Sequence, residues 1–307
     1  MSQRVAVLGP GALGGALAVQ LATTAGVHVI CLPRRDMVNI VALAGISLEV
    51  EGGEAIVARF EVSAELTQPV DVLLVTVKAY QLEEALEQID PAAVADAVVV
   101  PLLNGLEHVD VLRAHLGPRV AAGSIAHFEA YRVGRVQIIQ TTPSATITMA
   151  SQELPGQELE RAAAILTKGG FWVQLEQSER QVLWDKAARL AVLAAATSLA
   201  HRSVGALLDD PAWRGRLETT IAEACEIAAA DGATVLPSTQ WTIIGGMDYD
   251  LTTSTARDVA EGRPSELDAI VGSVVRAGQR LSVPCPTLSE LYAEASVHAA
   301  EIVVPMP

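Results

Sequence analysis

Cysteine and aromatic residues are scarce in this chain of 307 residues. Aromatic residues make up 4%, and the cysteines are Cys31, Cys225 and Cys285. An odd, widely spaced set of cysteines argues against a disulfide framework and against a metal cage, and it fits a reducing cytosol. The histidines show no spacing typical of metal ligands. We therefore expect a cytoplasmic protein without a metal site.

Positive charge is also in deficit. The sequence has 21 Lys and Arg against 36 Asp and Glu, which gives a formal net charge of −15. A chain this acidic repels nucleic acid and anionic membranes as a whole, so we expect neither as a partner. Its lysines are Lys78, Lys168 and Lys186. Because a desolvated lysine can lose its proton whereas an arginine cannot, each lysine is a candidate for chemistry, and chance is the alternative.

Long hydrophobic runs are missing too. The apolar stretch after Arg4 is interrupted by glycines between residues 9 and 15, which argues against a signal-peptide helix. No later run reaches about 18 uncharged apolar residues, so no transmembrane span is expected. Half of the residues are nevertheless apolar, which is enough for sizeable cores, and the length favours two domains.

The pattern of the chain changes near residue 177. Before it, apolar runs such as residues 5–8 and 72–77 alternate with helical stretches, which predicts an α/β domain with mostly parallel strands. After it, helical periodicity dominates. The sequence therefore predicts an α/β, Rossmann-type dinucleotide-binding domain in residues 1–177 and an all-α C-terminal domain in residues 178–307.

A glycine-rich turn, GPGALG at residues 9–14, follows the first predicted strand and opens a helix. In this context the first glycine permits a tight turn, the second lets the backbone approach a pyrophosphate, and the third lets helix and strand pack closely. The helix N-terminus directs free N–H groups at the anion. A purely structural turn is the alternative. We expect the cofactor to contact Gly9, Gly11, Ala12, Leu13 and Gly14.

The residues after the second predicted strand favour NADPH over NADH. An acidic residue about 20 positions past the glycines typically binds the ribose 2′-OH of NAD, whereas an arginine there meets the 2′-phosphate of NADP. Here Arg34 and Arg35 follow the strand, with Asp36 beyond them. We expect Arg34 to contact the phosphate, and an ordinary solvated loop is the alternative.

Two further predicted strands are followed by polar side chains. Lys78 lies in VTVKAYQ at residues 75–81, and Asn104 lies in LLNGL at residues 102–106. In open α/β sheets, ligands bind at this carboxyl edge. Together with the glycine turn, these segments resemble the ketopantoate reductases (2-dehydropantoate 2-reductases), which carry GxGxxG, TxKxxQ and NG segments in this order.

The resemblance continues through the helical half and so spans essentially the whole chain. Four segments are similar to the family's WxK, SSMxxD and TEID motifs and to its ending: LWDK at 183–186, TSTARD at 253–258, PSELD at 264–268 and VPCPT at 283–287.

The resemblance implies NADPH-dependent reduction of a 2-oxo acid to a 2-hydroxy acid, either ketopantoate to pantoate, as in pantothenate biosynthesis, or a close relative. It implies that Lys186 is the general acid and that Glu266 orients it or binds a substrate hydroxyl. Ser254 would bind the substrate carboxylate, and Asn104 would hold the nicotinamide and the substrate. The resemblance also places Lys78, with Arg34, at the 2′-phosphate.

Without the resemblance, each of these residues has an ordinary structural interpretation. Ser254 could cap a helix, Glu266 could occupy a first helical turn, and Lys186 could lie along the surface.

The sequence departs from the family at positions that would face the substrate. Where the family has two Asn, four and eight residues after the lysine, this chain has Leu190 and Ala194, and Thr255 replaces the Met of SSMxxD. Because the pocket loses amide donors, another keto or imine substrate is an alternative. A non-enzymatic NADP-binding sensor is a second alternative. A homodimer is a candidate assembly.

Overall fold

The computed structural model describes residues 2–302. Two compact units make up this part of the chain. The first comprises residues 2–103 and 108–182, and the second comprises residues 104–107 and 183–302. The chain thus enters the second unit briefly at 104–107 before it returns to complete the first.

The first unit is α/β, as the sequence predicts. Its described strands are β1 (Gln3–Leu8), β2 (Val27–Leu32), β3 (Ile46–Val50), β4 (Ile56–Ala58), β5 (Glu61–Val62), β6 (Val72–Val75), β7 (Val98–Pro101), β8 (Ala122–Ala126), β9 (Ala130–Val133), β10 (Gln137–Gln140), β11 (Thr146–Ala150) and β12 (Trp172–Leu175). Its described helices are α1 (Ala12–Ala22), α2 (Val38–Ala44), α3 (Leu82–Leu86), α4 (His108–Leu116) and α5 (Gly156–Lys168).

Five parallel strands form the central sheet, in the order β5-β2-β1-β6-β7. All four residues of β6 are buried, as are the last four of β1, which explains why these strands appear in the sequence as continuous apolar runs. The strand order reverses at β1, because β2 and β5 lie on one side of it and β6 and β7 on the other. Open α/β sheets bind their ligands at such a reversal, beyond the carboxyl ends of the strands.

Two smaller sheets complete the first unit, with orders β4-β3-β10-β9 and β12-β11-β8. Strands β3 and β4 form a hairpin, since they are consecutive and pair antiparallel. The sequence analysis missed β9. Most of its residues are exposed, so it lacks the apolar signal by which a buried strand is recognised.

Helix α1 packs on both the central sheet and the β4-β3-β10-β9 sheet. Leu17 and Leu21 belong to the core on the central sheet, whereas Ala16 and Val19 belong to the core on the second sheet. The second contact explains Gly15, because a Cβ there would lie 2.4 Å from Cδ1 of Ile138 in β10. Helix α1 is apolar on both sides for this reason and shows no polar face in the sequence.

The second unit is built from helices, as the sequence predicts. Its described helices are α6 (Glu179–Ala200, which begins at the end of the first unit), α7 (Val204–Leu208), α8 (Pro211–Ala230), α9 (Pro237–Gly245), α10 (Ser254–Ala260), α11 (Ser273–Leu281) and α12 (Pro286–Ile302). A π-helical segment, Asp268–Gly272, immediately precedes α11. The helical stretch that continues as α11 therefore begins with wider turns than those of an α-helix.

Helix α6 supplies much of the core of the second unit. Five of its alanines are fully buried: Ala188, Ala191, Ala194, Ala195 and Ala196. Small side chains let neighbouring helices approach closely, which suits a chain with few aromatic residues. Trp184 is the exception in size; it is buried, and its Nε1 donates to Oδ2 of Asp231 at 2.9 Å. That bond fixes the start of α6 against the end of α8.

The described part of the chain contains neither a disulfide bond nor a metal-binding cluster. Cys31, Cys225 and Cys285 are all buried and free. Between residues 2 and 302, no group of three or more His, Cys, Asp or Glu could hold a metal ion. Within the same range, no helix combines the length and the apolar character that a membrane span requires.

Candidate active site

The glycine turn after β1 has the geometry that a dinucleotide requires. Gly9 has a φ of +79°, and a Cβ there would lie 2.3 Å from Cγ1 of Val77. A Cβ at Gly14 would lie 2.1 Å from Oγ1 of Thr76. At Gly11, by contrast, the nearest atom would be 3.9 Å away. Side chains are thus excluded at the first and third glycines, while the space beside the second is open to a pyrophosphate.

Thr76 ties this turn to the end of β6. Its Oγ1 lies 3.0 Å from the carbonyl oxygen of Leu8 and 2.9 Å from that of Gly9, so the hydroxyl proton is shared between the two. Its backbone N–H also donates to Leu8. The sequence analysis quoted Thr76 within a motif but assigned it no role. The structure gives it one, because it holds the glycine turn beside the strand end that leads to Lys78.

Arg34 and Lys78 follow strands whose carboxyl ends share one edge of the central sheet with the glycine turn. The backbone N–H of Gly9 donates to Leu32, the last residue of β2, at 3.0 Å, and Arg34 follows two residues later. Its guanidinium is exposed and lies 3.4 Å from Asp36. Exposed ion pairs of this kind are weak, so Arg34 can exchange this carboxylate for a phosphate. Lys78 is half-buried just beyond β6.

Lys186, Leu190 and Ala194 follow one another at four-residue intervals along α6 and therefore share a helix face. Lys186 and Leu190 are half-buried, whereas Ala194 is fully buried in the core of the second unit. The hydrogen bond of Trp184 to Asp231 fixes the turn of α6 that carries Lys186.

The surroundings of Lys186 make its ammonium group unusually acidic. Burial, and to a smaller extent the positive charge of Arg189, lower the pKa of Lys186 to about 8. The carboxylate of Glu266, which is itself buried, opposes both effects. The structure thus brings together Lys186 and Glu266, which are far apart in the sequence. A lysine with a pKa near neutrality can donate a proton under working conditions.

Arg189 is a residue of this site that sequence reasoning missed. It lies one helical turn after Lys186, and its Nη1 donates to Asp185 and, at 3.1 Å, to Oε1 of the buried Gln240. The spacing of three residues from Lys186 was a visible signal. However, the contact with Gln240 on α9 could not be read from the sequence.

Ser254 is the exposed first residue of α10, and its neighbour Thr253 is the helix cap. The Oγ1 of Thr253 accepts a hydrogen bond from the backbone of Ala256 at 3.1 Å and lies 2.9 Å from Oγ1 of Thr197 on α6. The capping role considered for Ser254 therefore belongs to Thr253. Through Thr253, the start of α10 is attached to the helix that carries Lys186.

Asn104 lies in the short segment that joins the second unit, which is also the unit of Lys186, Glu266 and Ser254. Its neighbour Gly105 has a φ of +95° and packs against the π-helical segment, where a Cβ would lie 2.2 Å from the carbonyl oxygen of Ala269. The backbone here thus requires glycine, which explains the Asn-Gly pair.

A glycine turn at a strand-order reversal and a desolvated lysine close to a buried carboxylate are the features of an NAD(P)-dependent oxidoreductase. Two family models match the chain: ketopantoate reductase PanE/ApbA over residues 5–153, and ketopantoate reductase PanE/ApbA C terminal over residues 179–299. The chain belongs to the ketopantoate reductase family, and the resemblance seen in the sequence is confirmed.

Several individual proteins are similar to this chain over almost its whole length. An uncharacterised oxidoreductase of Bacillus subtilis, YkpB, is 27% identical and covers 96% of this chain and 98% of its own. A PanE/ApbA family ketopantoate reductase from Ralstonia eutropha is 25% identical, with a TM-score of 0.87 over 98% of this chain and 99% of its own. A D-mandelate dehydrogenase, solved with NADH and anilino(oxo)acetate, has the same TM-score at 19% identity, over 98% of this chain and all of its own.

Proposed function

We propose that this reductase uses NADPH to convert a 2-oxo acid to a 2-hydroxy acid, with ketopantoate or a less polar relative as the substrate. The observation that carries the proposal is Lys186, whose burial and charged neighbours set its pKa to about 8. A proton donor with this pKa, in a chain that also carries a dinucleotide-binding unit, suits carbonyl reduction. The fold alone does not decide the cofactor, because the D-mandelate dehydrogenase was solved with NADH.

In the proposed reaction the glycine turn, Arg34 and Lys78 would hold NADPH, which would supply a hydride for the keto carbon. The developing alkoxide oxygen takes a proton from Nζ of Lys186, so the product is a neutral hydroxyl. Glu266 holds the ammonium group in place and keeps it protonated, because its negative charge raises the pKa of Lys186. The hydroxyl of Ser254 donates to the substrate carboxylate, and the amide of Asn104 positions the nicotinamide and the substrate.

The pH dependence of the reaction should follow the titration of Lys186. Because the acid must be protonated, kcat/KM should fall as the pH rises through about 8. Arg189→Gln removes a positive neighbour, so the pKa should rise and the fall should move to higher pH. Glu266→Gln removes a negative neighbour and should move the fall to lower pH. We would measure kcat/KM against pH for the three proteins, and coincident profiles would contradict the assignment of Lys186.

Arg34 should determine the preference for NADPH over NADH. Removing a charged hydrogen-bond partner commonly costs about 1.5–3 kcal/mol, so Arg34→Ala should weaken NADPH binding by roughly tenfold or more. NADH binding should barely change, because NADH lacks the 2′-phosphate that Arg34 and Lys78 would meet. Titration of both cofactors by fluorescence measures the two constants. Equal losses for both would remove Arg34 from the phosphate site.

A panel of 2-oxo acids tests the proposed activity itself. The purified protein is mixed with NADPH and each acid, and the loss of NADPH absorbance is followed. We expect oxidation with ketopantoate and with 2-oxo acids of less polar side chain. A protein that binds NADPH tightly but oxidises it with none of them would be a sensor, and an imine reductase would respond only to imines. The homodimer stays a prediction, which light scattering of the same preparation tests.

A further inference from the structure

An ion-pair network attaches the segment 104–107 to the helices of the second unit. On α11, Arg276 donates two hydrogen bonds to Glu107, from Nε to Oε1 and from Nη2 to Oε2, both at 2.8 Å. Its Nη1 donates to Oδ1 of Asp268 at 2.9 Å, and the same oxygen accepts a bond from the hydroxyl of Tyr292 at 2.5 Å. We call these four residues the Arg276 network.

The Arg276 network occupies space that is open because residue 272 is a glycine. A Cβ at Gly272 would lie 2.6 Å from Oδ1 of Asp268 and 2.8 Å from both Nη1 of Arg276 and the hydroxyl of Tyr292. Gly272 is the last residue of the π-helical segment, and π-helical turns are rare and often occur at functional sites. The polar ends of the Asp268, Arg276 and Tyr292 side chains thus meet beside Gly272, which has no side chain of its own.

The Arg276 network connects the neighbours of two proposed active-site residues. Asn104 lies three residues before Glu107, and Glu266 lies two residues before Asp268. Arg276 binds the carboxylates of both Glu107 and Asp268, so it links two segments that are distant in the sequence. Glu266 in turn acts on Lys186 through its charge.

The Arg276 network is too exposed to contribute much to folding. The side chains of Arg276, Glu107 and Asp268 are 41%, 51% and 70% exposed. Exposed ion pairs contribute little to stability, even where their geometry is good. The Arg276 network therefore matters more for how it arranges the residues that it connects than for the stability of the fold.

We propose that Arg276 is a positioning residue, which fixes Asn104 relative to Glu266 and Lys186 by binding Glu107 and Asp268 together. In this role Arg276 acts through Glu107 and Asp268 and needs no contact with the substrate or the cofactor. The inference rests on the proposed function, because it takes Asn104 and Glu266 as members of the active site. A small displacement of a positioned group can lower catalysis strongly, since the reacting atoms must meet in a narrow range of geometry.

A double-mutant cycle between Arg276 and Asn104 tests the proposal. Arg276→Met should lower kcat/KM for the 2-oxo acid by about tenfold or more, because Asn104 is displaced. The Kd of NADPH, measured by fluorescence, and the Tm should change little. In the Asn104→Ala background, Arg276→Met should cause little further loss, because the residue that it positions is already missing. A merely structural role would instead lower activity by the same factor in both backgrounds.

The outcomes of this cycle separate the two assignments. If Asn104→Ala alone leaves kcat/KM unchanged, the assignment of Asn104 fails, and the positioning role fails with it. If Asn104→Ala lowers kcat/KM and the two losses multiply, only the positioning role is overturned. Glu107→Gln should reproduce the kinetic effect of Arg276→Met, and a normal kcat/KM in that variant would also overturn the proposal.

Two further variants distinguish a positioning role of the Arg276 network from a contribution to the stability of the fold. Arg216→Met removes a comparable ion pair, between α8 and Glu294 on α12, and should leave kcat/KM unchanged. Gly272→Ala removes no charge but displaces the tips of the Arg276 network. Because alanine is a better helix former than glycine, we expect this variant to keep its Tm and lose kcat/KM. A Gly272→Ala protein with full activity would contradict the proposal.

Discussion

Replacing Lys186 with alanine should lower kcat by about 10²–10⁴-fold, the usual range for the loss of a general acid. The alkoxide would then have to take its proton from water, which is a far weaker acid than an ammonium group of pKa about 8. The affinity for NADPH should stay within a small factor, because Lys186 lies in the second unit and the glycine turn in the first. Steady-state assays give kcat, and stopped-flow measurement gives the rate constant of hydride transfer separately from product release.

Lys168 offers a matched control for this experiment. It ends α5, where its exposed Nζ donates to Oε1 of Gln3 at 3.1 Å, and it corresponds to no motif of the family. Lys168→Ala should therefore leave kcat close to that of the parent protein. If the two alanine variants behave alike, the role of Lys186 as general acid is wrong.

The choice of substrate should be much less strict than in a site built to bind a hydroxyl group. Such a site can reject a substrate that lacks the hydroxyl by roughly 10⁴–10⁵-fold, whereas an apolar pocket discriminates far more weakly. The resemblance places Leu190 and Ala194 where the family has two Asn, so we expect two amide donors to be missing from the pocket. We expect ketopantoate and 2-oxoisovalerate, which lacks the hydroxyl, to differ in kcat/KM by less than about a hundredfold.

Leu190→Asn provides the converse experiment. It restores one amide on the helix face of Lys186 at a half-buried position, so the preference for ketopantoate should rise. Ala194 is fully buried, and a larger side chain there would disturb the core of the second unit, which makes Leu190 the better position to change. A wild-type preference for ketopantoate above about a hundredfold would show that other residues supply the missing donors.

The glycine turn was predictable from the sequence because its backbone requirements are local. The positive φ of Gly9 and the close packing at Gly14 are features that only glycine satisfies, and their spacing is visible in the chain. The central sheet was predictable for a related reason, since strands buried on both faces appear as continuous apolar runs. In both cases the signal lies within a few consecutive residues.

The polar contacts around the site were not predictable, because their partners are distant in the sequence. Gln240, which binds Arg189, lies 51 residues away from it, and Glu107 lies 169 residues away from Arg276. The π-helical segment is hidden for another reason: its apolar residues fit an ordinary helical period, and the wider turn leaves no mark in the composition. The resemblance to the family identified Lys186 and Glu266 as site residues, but it assigned no role to Arg189 or Arg276.

Residues 104–107 belong to the second unit, although the residues on both sides of them belong to the first. This arrangement affects the order in which the two units can fold during synthesis. All residues of the first unit have been synthesised once residue 182 is added, and domains generally fold as units from the N-terminus. Residues 104–107 are made early, but Ala269 and Arg276 are among the later residues to emerge. A chain that stops before residue 268 would keep Asn104 but lack the groups that hold its neighbours. Because the second unit consists of two separate chain segments, a single cut of the chain cannot separate the two units.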